Sequence, residues 1–180
     1  MLIKKDNIVI RSATIKDTNI LNSWWNDGKV MAHAGFPNGL NTTLEKVEAR
    51  INVNNDGLSQ LCIMEVTDVR IGECHYRLHD NIANIGIKIC DFPFQNKGLG
   101  TMILSMLINF LFTDNAINNS MILDKIALDT NLKNTRAQYL YEKLGFKKIR
   151  TNIDAWEDQA GQLQSFLDYE LTRDDYKNVN

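Results

Sequence analysis

Residues 95–100, QNKGLG, set two glycines on either side of a leucine where a long apolar run begins. A chain that turns into a helix there leaves several backbone N–H groups unpaired, and the helix dipole adds partial positive charge to them. Gly98 and Gly100 let an anion reach the main chain with no Cβ in the way, and both tolerate φ > 0. Gln95, Asn96 and Lys97 add side-chain donors, and Thr101 offers a hydroxyl. The physical reading is a phosphate-bearing ligand. The loop is not a Walker loop, which ends Gly-Lys-Ser/Thr, nor the longer dinucleotide fingerprint. A GxG before a helix is also a common turn with no ligand at all. Downstream, "DTNLKNTRAQYLYEKLGF" carries Asn131 and Asn134, which read as turn and cap residues, and Tyr141, which taken alone reads as a core or rim aromatic. No CxxC spacing suggests a metal, and His33, His75 and His79 read as surface or sheet residues.

The elements that must position these residues follow from periodicity. "NIVIRSAT" alternates as a strand with Ile8 and Ile10 on one face. "TIKDTNILNSWWNDGKV" reads as a helix capped by Thr14, with Ile20, Leu21 and Trp24 inward and Gly28 at its end. A second helix, "LEKVEARINVNN", starts after Thr42 or Thr43 and stops near Gly57. The period then changes to that of strands in "SQLCIMEV", "RIGECHYRL" and "ANIGIKIC", separated by hairpin-length connections. An apolar helix from about Leu99 to Phe112 follows the glycine turn. The chain closes with strand "KIALDT", helix "NTRAQYLYEKLG" ended by Gly145, and strands "FKKIRT" and "SFLDYELT". An antiparallel meander combined with βαβ connections makes an α/β fold, a mixed sheet of about seven strands flanked by about four helices.

The 180 residues fit a single domain spanning 1–180. A net charge of −2 provides no overall attraction to nucleic acid or to an anionic membrane. "MLIKKDNIVIRSAT" becomes polar too soon for a secretory signal, and "MILSMLINFLF" is too short to span a bilayer. Three cysteines without close pairing, Cys62, Cys74 and Cys90, suit a reduced, cytoplasmic setting. Read singly, Cys90 is a small buried hydrophobe and Lys97 a solvated side chain.

The strand before the turn, the helix after it and the downstream block together resemble the GNAT superfamily of acetyl-CoA-dependent N-acetyltransferases. In its Gln/Arg-x-x-Gly-x-Gly/Ala signature, Gln95, Gly98 and Gly100 take the marked places. "YEKLGF" resembles the close of the family's second motif. The resemblance extends over most of the chain. The N-terminal "IVIRSATIKDTNILNSWWND" resembles the branch that includes ribosomal-protein N-terminal and polyamine acetyltransferases. It implies a cosubstrate, acetyl-CoA, and no metal. It also implies that the strand end with Lys88 and Cys90 offers backbone to the pantetheine arm. Gln95, Asn96, Lys97, Gly98, Leu99, Gly100 and Thr101 would hold the pyrophosphate. Asn131 and Asn134 would contact the pantetheine and adenosine end, and Tyr141 would lie near the thioester sulfur as general acid.

Such a transfer needs a neutral amine, a polarised carbonyl and a stabilised thiolate. A backbone N–H can polarise the carbonyl, and a phenol can protonate the leaving group. The sequence departs from the family where many members carry a catalytic glutamate, a place that Asn84 takes here. Glu73 is the first replacement base, with His75 on the same face and Glu65 and Asp129 as further candidates. A desolvated acceptor amine could instead lose its proton without a dedicated base. The acceptor is expected between the N-terminal helices and the last strands, near Trp24, Trp25 and Trp156, with Glu157 and Asp158 forming an acidic rim. Trp24 can equally be a core anchor and the acids a solvated loop. The implied partners are an amine of a small molecule or of a protein N-terminus, with the chain a monomer or homodimer. The alternatives are a non-catalytic acyl-CoA-binding module on the same fold and an unrelated phosphate-binding α/β protein.

Overall fold

The computed structural model describes residues 1–53 and 57–179, the side chains of the last three of these excepted. Eight strands form one mixed sheet in the order β1-β2-β3-β4-β5-β6-β8-β7. They are β1 Leu2–Lys5, β2 Ile8–Ser12, β3 Ser59–Val66, β4 Val69–His79, β5 Ile82–Ile89, β6 Lys125–Asn131, β7 Lys147–Glu157 and β8 Leu163–Thr172. The strand beyond the expected seven is β1. Its four residues, LIKK, are an edge strand with little burial and carry no alternation to read. All neighbouring strands are antiparallel except β5 and β6, which run parallel.

The four expected helices are α1 Thr18–Asn26, α3 Leu44–Val53, α4 Leu99–Thr113 and α6 Thr135–Lys143, joined by three shorter ones: α2 Gly28–Met31, α5 Asn115–Ser120 and α7 Arg173–Val179. Gly28 starts α2 rather than ending α1, because the Asp27 side chain accepts from the Lys29 amide and opens a new helix. The expected continuation of α3 through 54–55 lies outside the described residues. Helices α4 and α6 cover one face of the sheet, where Ile103, Leu104, Leu107 and Leu111 meet β2, β3, β4 and β6 in the main core. Helices α1 to α3 cover the other face with a smaller core around Leu21, Trp25, Val47, Ile51 and Ile63.

The helical stretch Leu99–Ser120 is, at 22 residues, long and apolar enough by length and composition to cross a bilayer, where the apolar run alone was expected to be too short. The chain breaks that stretch at Asp114, whose extended backbone ends α4 and whose carboxylate caps α5. Seven side chains of α4 are buried in the protein, so its apolar surface is already used by the core. All three cysteines are free and buried.

The feature that matters for function is a parting of strands. β5 and β6 pair only where Ile82, Ala83 and Asn84 meet Lys125, Ile126 and Ala127. β5 continues to Ile89 and β6 to Asn131 without pairing each other, while β6 stays bonded along its length to β8. A wedge therefore opens in the middle of the sheet, with unpaired backbone along both edges.

Candidate active site

A cleft of about 560 Å³ occupies the wedge, a size ordinary for a ligand site. Residues 86–89 of β5 and 129–131 of β6 form its sides, the glycine turn and the start of α6 its mouth, and Lys29 to Ala34 part of its opposite wall. Peptide groups alternate along a strand. The Cys90 N–H turns to Ile71 of β4, whereas the Ile89 carbonyl accepts from Gln95 Nε2 at 2.8 Å on the other edge. Ile87 and Ile89 are therefore the residues whose backbone faces the wedge. Lys88 lines the cleft with its side chain. Cys90 does not line it; burial pushes its thiol up, and Sγ donates weakly to the Lys88 carbonyl at 3.5 Å.

The turn is held before any ligand arrives. Asn96 at φ 60° and Gly98 at φ 76° both take left-handed backbone, which bends the chain so that the amides opening α4 converge. Arg136 on α6 donates to Asn96 Oδ1 at 2.8 Å and to Gln95 Oε1 at 3.1 Å. A Cβ on Gly98 would meet nothing within 4 Å, and one on Gly100 would meet Leu140 at 3.5 Å and Ile89 at 3.9 Å, both ordinary contacts. No protein neighbour requires glycine at 100, and the open space at Gly98 suits an incoming anion. Gln95, Asn96, Gly98, Gly100 and Thr101 line the cleft. Lys97 does not, its Nζ standing 5.8 Å from the Phe94 ring, and Leu99 packs on the main core.

Asn131 and Asn134 line the cleft and also shape it. Asn131 donates to Gln164 at 2.9 Å and accepts from the Lys133 amide, and Asn134 caps α6 by accepting from the Ala137 amide at 3.3 Å. Capping and ligand contact are compatible. The Tyr141 ring is wedged between Phe146 and Tyr169, with centroids 6.0 and 5.6 Å away. Tyr141 lines the cleft, and its hydroxyl has no hydrogen-bond partner among the described residues. Burial first, then the nearby Asp129 and Tyr169, push its pKa up to about 12. It is a protonated donor at any physiological pH.

The other expected residues lie elsewhere. Trp24 and Trp25 are buried in the smaller core. Glu73 is buried beneath the cleft rather than lining it; Trp25 Nε1 donates to one oxygen at 2.8 Å and Lys88 Nζ to the other at 3.4 Å. Asn84 is exposed and bonded to His79 at 3.1 Å. The Trp156 ring sits where a side chain at Gly35 would be, so it joins the β7–β8 hairpin to the loop after α2. Gln159 reinforces that junction through Asn38 and Gly39. Direct contacts thus join the two regions between which the acceptor was expected to enter.

Sequence reasoning missed Arg136, and a signal was present. A cation in the first turn of a helix opposes the dipole, so something else must hold it there. It also missed the Ile87 and Ile89 backbone, which only strand pairing reveals.

A model of the acetyltransferase (GNAT) domain matches residues 7–147. No curated protein matches the chain significantly in sequence. Among solved structures, it is similar to spermidine N-acetyltransferase from Vibrio cholerae in complex with CoA and spermine, at 19% identity, covering 97% of this chain and 100% of that one, with a TM-score of 0.82. It is similar to RimL, a ribosomal L7/L12 alpha-N-protein acetyltransferase in complex with coenzyme A, at 14% identity, covering 97% and 99%, with a TM-score of 0.82. A GNAT-family acetyltransferase from Bacillus anthracis is 19% identical over 97% and 99%, with a TM-score of 0.76.

Proposed function

The chain belongs to the GNAT acetyltransferase family, and we propose that it moves an acetyl group from acetyl-CoA to a primary amine of a small molecule or protein N-terminus. The observation that carries this reading is one cleft with amides and Arg136 at its mouth and a free phenol inside it. The mouth suits a pyrophosphate: amides at a helix start, open space at Gly98, no tight contact at Gly100, and the Arg136 guanidinium beside the turn. From there an extended arm can run along the unpaired β5 edge, with the Ile87 and Ile89 peptide groups as its partners. A main-chain N–H on this edge polarises the thioester carbonyl. Tyr141 donates its proton to the leaving sulfur. Direct attack within a ternary complex needs no enzyme nucleophile, which agrees with the buried cysteines. Glu73 we assign to holding Lys88 and Trp25, the floor on which the acceptor side is built.

Thermal melting with acetyl-CoA, CoA and ATP tests the ligand, because a molecule that binds only the native state raises the transition. Acetyl-CoA and CoA are expected to raise it more than ATP does; a preference for ATP sinks the reading. Thiol release across an amine panel then tests turnover and identifies the acceptor.

A further inference from the structure

We propose that Asp129 is the general base of this reaction, taking the proton that the acceptor nitrogen sheds as it attacks the thioester. The proposal rests on the acetyl-transfer reading and supplies the proton acceptor that Asn84 cannot be.

Asp129 stands on β6 two residues beyond Ala127, the last residue paired with β5. Ile126, Leu128 and Thr130 are buried on the α4 side, so strand alternation turns Asp129 to the opposite face. It lines the same cleft as the Tyr141 hydroxyl, and the two are close enough that the aspartate raises the phenol's pKa. No hydrogen bond or ion pair holds its carboxylate among the described residues. The competing carboxylates are engaged. Glu73 is bonded on both oxygens outside the lining, and Glu65 pairs with Arg11 at 2.8 Å and approaches Arg70.

The surroundings tune the group. Asp129 is exposed at the cleft surface, yet partial desolvation by its surroundings, then the charge of Asp168 directly across on β8, raises its pKa. Asp168 is itself held by Asn152 at 2.9 Å. The other titratable or charged groups sharing the cleft are Tyr139 and Tyr141 of α6, Lys88 of β5, Lys29 and His33 on the far wall, and Arg136 at the mouth. A carboxylate raised towards neutrality is a better base, and an adjacent pair of acids draws in a cationic amine. In the step, the C–N bond forms and the C–S bond breaks. The ammonium first gives up its extra proton to water; as the neutral amine attacks, one proton passes from nitrogen to the Asp129 carboxylate and one from Tyr141 to sulfur. Transfer of the Asp129 proton back to the tyrosinate restores both groups, leaving amide and thiol.

The experiment uses the full chain with spermine and, separately, a peptide with a free N-terminus as acceptors. Asp129→Asn is expected to lower kcat by roughly 100-fold while leaving the acetyl-CoA-induced rise in melting temperature in place, with Asp129→Glu recovering part of the loss. Asp168→Asn removes the neighbouring charge and is expected to move the acid limb of kcat/KM to lower pH. Turnover of Asp129→Asn within about threefold of wild type, or an unmoved acid limb in Asp168→Asn, overturns the proposal. If Asp129→Asn does not fold, the Asp168→Asn limb decides the matter alone. A wild type that releases no thiol with either acceptor takes down the transfer reading and the base with it, whereas an active wild type with an equally active Asp129→Asn removes only the base.

Discussion

Replacing Tyr141 by phenylalanine separates chemistry from packing. The ring lies between Phe146 and Tyr169 at 6.0 and 5.6 Å and is 6% exposed, so phenylalanine can keep those contacts. The hydroxyl that is lost has no partner among the described residues, so its removal orphans nothing. Stability should therefore change by no more than about 0.5 kcal/mol, under about 2 °C in Tm for a chain of this size. Loss of a general acid typically costs ~10²–10³ in rate, which is about 2.7–4 kcal/mol of transition-state stabilisation. KM for acetyl-CoA should stay within about threefold, because the interaction belongs to the departing thiolate and not to the ground state. The pH dependence has a definite sign. Burial favours the neutral phenol and pushes its pKa up to about 12, so the donor stays intact as pH rises through the usual tyrosine range near about 10. Thiol release measured spectrophotometrically, alongside thermal melts with and without acetyl-CoA, gives all three quantities. A Phe variant with kcat within about threefold of wild type refutes the role. A variant that loses rate only because it no longer responds to acetyl-CoA refutes it too, by making the residue a binding contact. Tyr141→Ala is the contrasting case: it opens a core cavity and should cost about 3–5 kcal/mol.

Other perturbations test the mouth of the cleft and its frame. Gly100→Asp places a carboxylate at a helix start where its Cβ meets only ordinary contacts, so the apo melting temperature should hold or rise slightly while the acetyl-CoA-induced shift disappears. Arg136→Ala removes the guanidinium above the turn and frees Asn96 and Gln95; coenzyme affinity by calorimetry should fall roughly tenfold, and the loss should shrink at high salt. Asp17 is fully buried, bonded at 2.7 and 2.8 Å to Arg11 and at 2.9 Å to the Thr14 amide, so Asp17→Asn should cost about 3 kcal/mol by denaturant unfolding. Burial alone would raise the Asp17 pKa, but the Arg11 guanidinium overrides it and holds the carboxyl below the usual range. That contribution is in full force above the ordinary aspartate value and is lost as pH falls through the depressed one, so the acid limb of unfolding should flatten in the variant.

Much of the frame was legible because local physics sets it. "SQLCIMEV" became β3 with the bounds its alternation implies, and α4 begins at Leu99 where the glycine turn leaves off. Asn134 and Gly145 bracket α6 as a cap and a left-handed terminator, each following from one residue's own preferences. β1 was not legible, since four residues with hardly any burial carry no pattern. The tryptophans were ambiguous for a related reason. A large aromatic reads the same in a core and at a ligand rim, and only packing buries Trp24 and Trp25 while setting Trp156 against Gly35.

The amino-acid sequence by itself determined the order of elements, the residues of the glycine turn and the family, because each depends on spacing within a few tens of residues. Where the sheet parts was decided only in three dimensions. Pairing of β5 with β6 stops at Asn84 and Ala127, and that one event exposes the Ile87 and Ile89 backbone. The same parting sets Asp129 and Tyr141 in one cleft and leaves Glu73 beneath it, bonded to Trp25 and Lys88. Those relations join residues far apart along the chain, and no local propensity carries them.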